Sequence, residues 1–325
     1  MAADKSPKTL LEATRYFADP DVCLNAAIAL RWGGEPVSCP TCGSEDVHFI
    51  ATRRIWRCSK QHERRQFSVK IGTIMEDSPI SLDKWMVAIW LLANAKNGIS
   101  SYELARSIGV TQKTGWFLLH RIRLAMQTGS FGKLSGTVEV DETFIGGKSR
   151  NMHQSKRERV GMTRGRSMAG KVAVMALLDR HGKDGVSQVR MEVLSGRKRN
   201  TLQGHVRNHV EEGSNVYTDA FYSYRGLQAG YVHGFVDHAE KYVDGAVHTN
   251  GCENFWSLLK RAIKGTYVSV EPFHLVRYLD EQSFRFNNRK LNDAERFAHA
   301  AAAIVGKRLT YKALIGANEL ESRQN

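Results

Sequence analysis

The sequence predicts an α/β domain, a mixed β-sheet flanked by helices, preceded by two smaller N-terminal modules. Residues 137–144 alternate apolar and polar side chains with the period of a strand. Short, mostly apolar segments that also suit strands follow at 171–178, 187–193 and 214–219. Because a segment with helical spacing, 200–210, lies among them, the pattern is that of a mixed α/β domain.

The order of these elements narrows the fold class. Three consecutive strands are followed by a helix and then by the strand 214–219. A further short strand is predicted at 235–238, and two helices are predicted at 250–263 and 271–287. This order is typical of an RNase H-like fold.

Three acidic residues stand at distinctive places in that order. Asp141 lies in the first strand, Asp219 ends the strand 214–219, and Glu253 lies in the first turn of the next helix. Mg²⁺ prefers carboxylate oxygens, and two-metal phosphoryl transfer needs ions held about 3.5–4 Å apart. The set therefore predicts two Mg²⁺ or Mn²⁺ ions, with Asp141 bridging both and Asp219 and Glu253 each completing one.

Each of these acids has a structural alternative when it is taken alone. Asp219 also fits the start of a turn, and Glu253 also fits the partner position of a helix cap. Glu139 and Glu142 compete with Asp141 for the first position. The ordered set, rather than any single acid, carries the prediction.

Lys260 follows Glu253 by seven residues, which is about two helical turns. The two side chains therefore share a helix face, and Lys260 can reach a phosphate near the metal ions. The alternative is an ordinary surface lysine.

The charge balance indicates a polyanionic partner. Lysine and arginine total 47 against 33 acids, a net charge of +14, which favours nucleic acid through counterion release. Seven basic residues and the lone acid Glu158 fall within 148–166. Beside Asp141, this segment is predicted to contact the DNA backbone through Arg157, Arg159 and Arg164, with a merely solvated loop as the alternative.

Three of the five cysteines, Cys39, Cys42 and Cys58, fall within twenty residues. The odd number of cysteines argues against a disulfide framework, and the clustering of three of them indicates a metal. A zinc ribbon needs four ligands. The nearest replacement for the missing cysteine is His62, with His48 as a weaker substitute, and a metal-free ribbon held by its hydrophobic residues is the alternative.

A helix-turn-helix is predicted after the ribbon. A short helix follows Ser100, Gly109 makes a tight turn, and Thr111 caps a longer helix that runs to Met126. The residues at the start of the second helix, which would face the major groove, are Gln112, Lys113 and Thr114. The alternative is a plain three-helix bundle.

The predicted organisation has five parts. They are N-terminal helices at 1–34, a zinc ribbon at 35–75, a helix-turn-helix at 76–130, the RNase H-like domain at 131–290 and a C-terminal tail at 291–325. The longest apolar stretch is too short to span a bilayer, and the N-terminus has no signal-peptide pattern. A cytoplasmic location is predicted.

These motifs together resemble the bacterial DDE-class insertion-sequence transposases that carry an N-terminal zinc ribbon, the ISXO-type group. The resemblance covers roughly residues 35 to 290. The matching segments are Cys39-Pro-x-Cys42, Arg65-Gln-Phe-Ser68 with Gly72-Thr73, Gly98-Ile-Ser-x-x-Glu-Leu-Ala105, Val140-Asp141-Glu142-Thr143, Tyr217-Thr-Asp219 and His248-Thr-Asn-x-x-Glu253-Asn-x-Trp256-Ser-x-x-Lys260-Arg261.

The resemblance implies a polynucleotidyl transferase with Asp141, Asp219 and Glu253 as its catalytic triad. Such an enzyme binds terminal inverted repeats, cleaves the transposon ends and transfers their 3′-hydroxyls to target DNA. Its partner is double-stranded DNA, and a homodimer or larger assembly is expected in the synaptic complex. Two alternatives remain, a catalytically inactive DNA-binding repressor derived from a transposase and an RNase H-fold nuclease.

Overall fold

The computed structural model describes residues 7–127, 132–146, 154–155, 170–182, 185–236 and 247–316. The chain divides into two compact units, residues 1–127 with 290–325 and residues 128–289. The segment predicted as a C-terminal tail thus groups with the N-terminal residues. No helix in the described ranges is long and apolar enough to cross a membrane, and the cytoplasmic location stays a prediction.

The first unit begins with two helices, α1 (Leu10–Ala18) and α2 (Pro20–Trp32). Asp19 caps α2, since its side chain accepts hydrogen bonds from two backbone N–H groups of the first turn. Pro20 follows at the first helical position, where its missing N–H costs nothing. Gly33, with φ of 62°, ends α2 in the left-handed conformation that favours glycine.

A small antiparallel sheet follows. Within the described residues it has the order β1 (Val47–Ile50), β2 (Ile55–Cys58) and β3 (Gln66–Phe67). Trp56 and Phe67 stack with their ring centroids 5.9 Å apart and are buried together with residues of α1 and α2. The sheet therefore shares one hydrophobic core with the leading helices.

Three helices complete this part of the unit, α3 (Leu82–Asn94), α4 (Ser101–Ile108) and α5 (Gln112–Met126). Gly109, with φ of 64°, makes the turn between α4 and α5. Gly115 allows the two helices to approach closely, because a Cβ there would lie 2.9 Å from the Ser101 carbonyl oxygen. The short helix, the glycine turn and the longer helix lie where the sequence predicts, and DNA contact by them stays a prediction.

The second unit is built on a mixed sheet of the strands β4 (Thr137–Ile145), β5 (Val172–Asp179), β6 (Gln188–Leu194), β7 (Asn215–Asp219) and β8 (Val232–Val236). Within the described residues the strand order is β6-β5-β4-β7-β8. Neighbours are antiparallel among β4, β5 and β6, whereas β7 is parallel to both β4 and β8. The last strand starts three residues before the predicted 235–238, and residues 237 and 238 lie outside the described ranges.

Helices cover both faces of this sheet. On one face α6 (Arg199–His209) buries Leu202 and Val206 against Val138 and Val140 of β4. On the other face α7 (Asn250–Ala262) and α8 (Leu275–Asn287) bury apolar residues against β5. The arrangement confirms the predicted RNase H-like class, a mixed sheet flanked by helices.

Because successive side chains of a strand point to opposite faces, the acids of β4 are divided between the two faces of the sheet. Val138, Val140 and Glu142 share the face that α6 covers, whereas Glu139 and Asp141 share the face of α7 and α8.

The chain then returns to the first unit with α9 (Asp293–Ala302) and α10 (Tyr311–Leu314). The helix α9 starts with a capping box, in which Asn292 and Glu295 each accept a hydrogen bond from the other's backbone N–H. Phe297 of α9 packs against Phe17 and Trp90. The helix α9 thus contributes to the core of the N-terminal unit.

Candidate active site and metal centre

Asp141 and Asp219 lie side by side on neighbouring parallel strands. The paired residues of β4 and β7 run from Thr137 opposite Asn215 to Glu139 opposite Tyr217. Continuing this register by two residues brings Asp219 next to Asp141, on the same face of the sheet. Since neighbouring strands are about 4.8 Å apart, the two carboxylates are close neighbours.

The electrostatics of Asp141 bring Glu253 into the same cluster. Burial raises the pKa of Asp141 above its usual value; the indole of Trp256 lowers it, and the charges of Asp219 and Glu253 raise it. The negative charges of Asp219 and Glu253 therefore lie near Asp141, and the three carboxylates form a concentrated negative site. Such a site attracts divalent cations, which remove the repulsion.

Both oxygens of Asp141 accept a hydrogen bond. Trp256 Nε1 donates to Oδ2 over 2.8 Å, and the backbone N–H of Glu142 donates to Oδ1 over 2.8 Å. Trp256 lies on α7 three residues after Glu253, and its side chain is buried. These donors fix the direction of the carboxylate before any ion binds.

Glu139, the first competitor of Asp141, is occupied elsewhere. Its side chain is 1% exposed, Oε1 accepts from Arg180 Nε over 2.7 Å, and Oε2 accepts from the backbone N–H of Cys252 over 3.0 Å. Carboxylates are favourable at helix N-termini, where backbone N–H groups lack partners. Glu139 therefore holds the start of α7 rather than facing the other carboxylates.

Arg180 extends this contact to His248, two residues before the first residue of α7. Its Nη2 lies 2.7 Å from the carbonyl oxygen of His248 and 2.8 Å from His248 Nδ1. Gly251 leaves the room that Glu139 needs, because a Cβ there would lie 2.8 Å from Glu139 Oε2. These residues fix the first turn of α7, which carries Glu253.

Glu142 is the second residue that competes with Asp141 for the first ligand position. Its side chain points to the α6 face of β4 and forms an ion pair with Arg197 at 3.3 Å. Burial, followed by the charge of Asp219, raises the pKa of Glu142 to about 8 against the effect of Arg197. Its position on the opposite face separates it from the side on which Asp141 and Glu253 lie.

The other two acids each have a structural alternative, the start of a turn for Asp219 and the partner position of a helix cap for Glu253. Asp219 does begin a turn, since its Oδ1 accepts from the backbone N–H of Phe221 over 3.1 Å. Glu253 is exposed in the first turn of α7, and Thr249, the residue that starts the helix, makes no side-chain cap hydrogen bond. Lys260 lies in the last turn of α7 and is half-buried.

The side chains of Cys39, Cys42, Cys58 and His62 lie together in the first unit. Their ligand atoms are all within 4.8 Å of one another. Cys39 Sγ is 3.4 Å from His62 Nε2, and Cys42 Sγ is 3.6 Å from Cys58 Sγ. Tetrahedral Zn²⁺ with its usual bond lengths requires separations of about 3.6 and 3.8 Å. The cluster therefore fits zinc, and His62 rather than the exposed His48 of β1 is its fourth member.

The residues predicted to face DNA have partners of their own in the first unit. Gln112 Nε2 donates to Ser101 Oγ over 2.8 Å, and the Thr114 and Thr111 hydroxyls are 2.9 Å apart. The exposed Lys113 has its Nζ 4.8 Å from the ring centroid of Tyr311. The other predicted contacts lie outside the described residues; they are Arg157, Arg159 and Arg164.

Sequence reasoning did not assign roles to Trp256 or Arg180 in this site. A position near the site could have been predicted for Trp256 from the sequence, because it lies one helical turn after Glu253 and so shares its side of α7. Arg180 follows β5 directly, and only the folded sheet brings it to Glu139.

Two family models match the chain. An ISXO2-like transposase domain matches residues 133–287, and a transposase zinc-ribbon domain matches residues 19–61. An "uncharacterized transposase-like protein" of Haemophilus influenzae is 33% identical over 92 residues, 28% of this chain and 74% of that protein. The chain belongs to the ISXO2-like transposase family.

Another relative extends over most of the chain. It is an "uncharacterized protein in transposable element ISH50" of Halobacterium salinarum, 29% identical over 273 residues, which are 82% of this chain and 90% of that protein. Among solved structures, a pre-cleavage Mos1 transpososome aligns at 13% identity and a TM-score of 0.26, over 68% of this chain and 79% of that one.

Proposed function

We propose that this transposase binds terminal inverted repeats, cleaves the transposon ends and joins the freed 3′-hydroxyls to target DNA. The observation that carries the proposal is the cluster of Asp141, Asp219 and Glu253 on one face of the sheet. Hydrolysis and strand transfer are both displacements at phosphorus, so a single site can serve both steps.

The donor set of this cluster suits Mg²⁺ or Mn²⁺. Three carboxylates provide hard oxygen ligands, and their mutual repulsion is relieved by divalent charge. Asp141 would be shared by two ions, with Asp219 and Glu253 completing one each. When bound, the ions activate the attacking oxygen and stabilise the leaving oxygen.

Other residues of this chain support that set. Trp256 and the Glu142 N–H orient the Asp141 carboxylate, and Glu139 holds the helix start from which Glu253 projects. Lys260, farther along the same helix, would bind a DNA phosphate beside the ions. These groups would hold the ligands and the DNA in position for the reaction.

The N-terminal unit would recognise the DNA ends. Cys39, Cys42, Cys58 and His62 would hold one Zn²⁺ and fix the ribbon, while the start of α5 would enter the major groove. The exposed Lys113 is the best placed of the three predicted contacts there. Because two ends must be joined together, the active form would be a dimer or larger assembly.

The test uses DNA with the inverted repeats that flank the gene. Asp141→Asn, Asp219→Asn and Glu253→Gln should each abolish Mg²⁺-dependent cleavage while leaving repeat binding largely intact, since each removes a ligand charge and no DNA contact. Glu211→Gln, an exposed acid on the same unit, is the control and should cut normally. A variant that cuts at the wild-type rate would remove that residue from the metal site, and a wild-type chain that binds but never cuts would be a repressor.

A further inference from the structure

A second group of metal-ligating side chains lies on the opposite face of the sheet. Glu192 of β6 pairs across the sheet with Met175, whose side chain is in the core under α6. His205 and His209 of α6 complete the group. Asp141 pairs with Ala176, which belongs to the core under α7, so the two groups are separated by the sheet.

The three ligand atoms are close enough to share one ion. They lie within 4.8 Å of one another, and His209 Nε2 is 3.2 Å from Glu192 Oε1. Two ligands of a tetrahedral zinc ion, one nitrogen and one oxygen, are about 3.4 Å apart. The histidines are four residues apart on α6, and their rings are nearly parallel, with 13° between the planes. This is the helical spacing by which two imidazoles reach a common metal.

We propose that Glu192, His205 and His209 bind a transition-metal ion of the zinc class, apart from the ribbon and the carboxylate cluster. Two imidazoles and one carboxylate favour zinc over Mg²⁺, which takes oxygen ligands. The side chains of His209 and Glu192 are 23% and 35% exposed, so water has access to the fourth position.

The charges around the group are compatible with a bound cation. Arg190 lies two residues before Glu192 on the same face of β6, and it is a competing cation. Its guanidinium donates a hydrogen bond to the carbonyl oxygen of Gly132, so Arg190 has a partner other than Glu192.

A metal at this position would join β6, an edge strand of the described sheet, to the helix that covers it. In the described sheet β6 pairs only with β5, and α6 makes the crossover that leads to β7. A single ion linking Glu192 to His205 and His209 would hold β6 against α6. Its expected effect is on the stability of the second unit, independent of Mg²⁺ and of DNA.

The first experiment measures zinc in the full-length protein after dialysis against zinc in excess Mg²⁺, so that Mg²⁺ rather than zinc occupies the carboxylate cluster, and after gel filtration. The wild type should retain two zinc ions per chain, and His205→Gln and His209→Gln should each retain one. The ribbon variant Cys42→Ser should also lose one. His181→Gln, an exposed histidine outside the group, should keep both. A wild-type content of one ion that Cys42→Ser abolishes, with the two histidine variants unchanged, would leave only a Glu192–His209 ion pair and overturn the proposal.

Cobalt substitution separates the two sites by their ligands. The ribbon should show thiolate-to-cobalt charge transfer, whereas the second ion should add only the weaker bands of nitrogen and oxygen ligands. Those added bands should vanish in His209→Gln and remain in His181→Gln. Zinc at a hundred times its dissociation constant should also raise the melting midpoint of the second unit by about 5 °C in Cys42→Ser. A rise of equal size in Cys42→Ser combined with His209→Gln would contradict the assignment.

Discussion

Asp141 receives a hydrogen bond on each carboxylate oxygen, and only one of the donors is a side chain. Trp256 Nε1 supplies that bond over 2.8 Å from the helix that also carries Glu253. The indole therefore couples the direction of one proposed ligand to the position of another. Outer partners of this kind tune metal affinity without touching the metal.

Trp256→Phe tests this coupling. The substitution keeps a buried aromatic ring but removes the N–H, so Asp141 loses one orienting bond. We expect the Mg²⁺ concentration for half-maximal cleavage to rise roughly 10- to 100-fold, with repeat binding retained. Trp116→Phe, in the first unit, is the matched control and should leave the Mg²⁺ requirement unchanged. An unaltered requirement in Trp256→Phe would show that the indole bond does not orient the ligand.

Glu139 and Asp141 are two residues apart on one face of β4 but differ in their surroundings. Glu139 has Arg180 and a helix N-terminus as partners, whereas Asp141 faces Asp219 and Glu253. Their neutral substitutions should therefore change stability in opposite directions.

Glu139→Gln should lower the free energy of unfolding by about 3 kcal/mol, because it leaves the guanidinium of Arg180 without its buried partner. Asp141→Asn should raise it in the absence of Mg²⁺. The folded protein holds the pKa of Asp141 above its unfolded value, so the ionised side chain costs stability at neutral pH. Urea titrations compare both with Glu211→Gln, which should change stability by less than about 0.5 kcal/mol. Destabilisation by Asp141→Asn equal to that by Glu139→Gln would contradict the division of roles.

At the scale of elements, the start of α7 depends on a close approach to β4. Gly251→Ala would place a methyl group 2.8 Å from Glu139 Oε2 and 3.0 Å from Leu178 Cδ2, so the helix must shift. We expect cleavage to fall at least 10-fold, because Glu253 moves with the helix. Gly204→Ala in α6 is the control, since its Cβ meets nothing within 4 Å, and it should stabilise slightly. Equal activity of the two variants would show that the helix start tolerates displacement.

The strands that flank the site could be predicted because their side chains alternate or form short apolar runs. The boundaries of β4 to β7 lie within one residue of the prediction. The start of β8 was missed because Val232 and Phe235 are exposed and Gly234 interrupts the pattern. The helix predicted at 271–287 begins as α8 only at Leu275, after a 3₁₀ turn over Pro272–His274.

The candidate site could be predicted only in part. The sequence ranks Asp141 with Glu139 and Glu142, since all three are acids in one strand. Their separation depends on which element covers each face of β4, and that is a tertiary property. The spacing of four between His205 and His209 is visible in the sequence. The carboxylate of Glu192, however, comes from the strand β6, which only the fold brings to that helix.

At the scale of the whole molecule, the chain has one unit with the cluster of Cys39, Cys42, Cys58 and His62 and another unit with the carboxylate cluster. The net charge of +14 suits a protein that binds DNA through phosphates as well as bases. The prediction of DNA-backbone contacts by Arg157, Arg159 and Arg164 rests on the sequence alone.

His62→Ala tests the proposal that a zinc-bound ribbon supports DNA recognition by the first unit. It should lower zinc retention, because three thiolates leave one position to water, and it should weaken repeat binding. His48→Ala, which changes the weaker candidate ligand, is the control and should retain both properties. Zinc analysis combined with a binding titration decides between them. Full zinc retention in His62→Ala would show that the ribbon takes its fourth ligand elsewhere.

Strand transfer of a pre-cut transposon end into a target plasmid tests the central proposal most directly. The assay bypasses the first cut, so it separates a transposase from a nuclease as well as from a repressor. We predict Mg²⁺-dependent joined product with the wild type and a loss of at least 1,000-fold, on the order of removing an essential catalytic group, with Asp219→Asn. Failure of the wild type to join pre-cut ends that it binds, or joining by Asp219→Asn at the wild-type rate, would contradict the account.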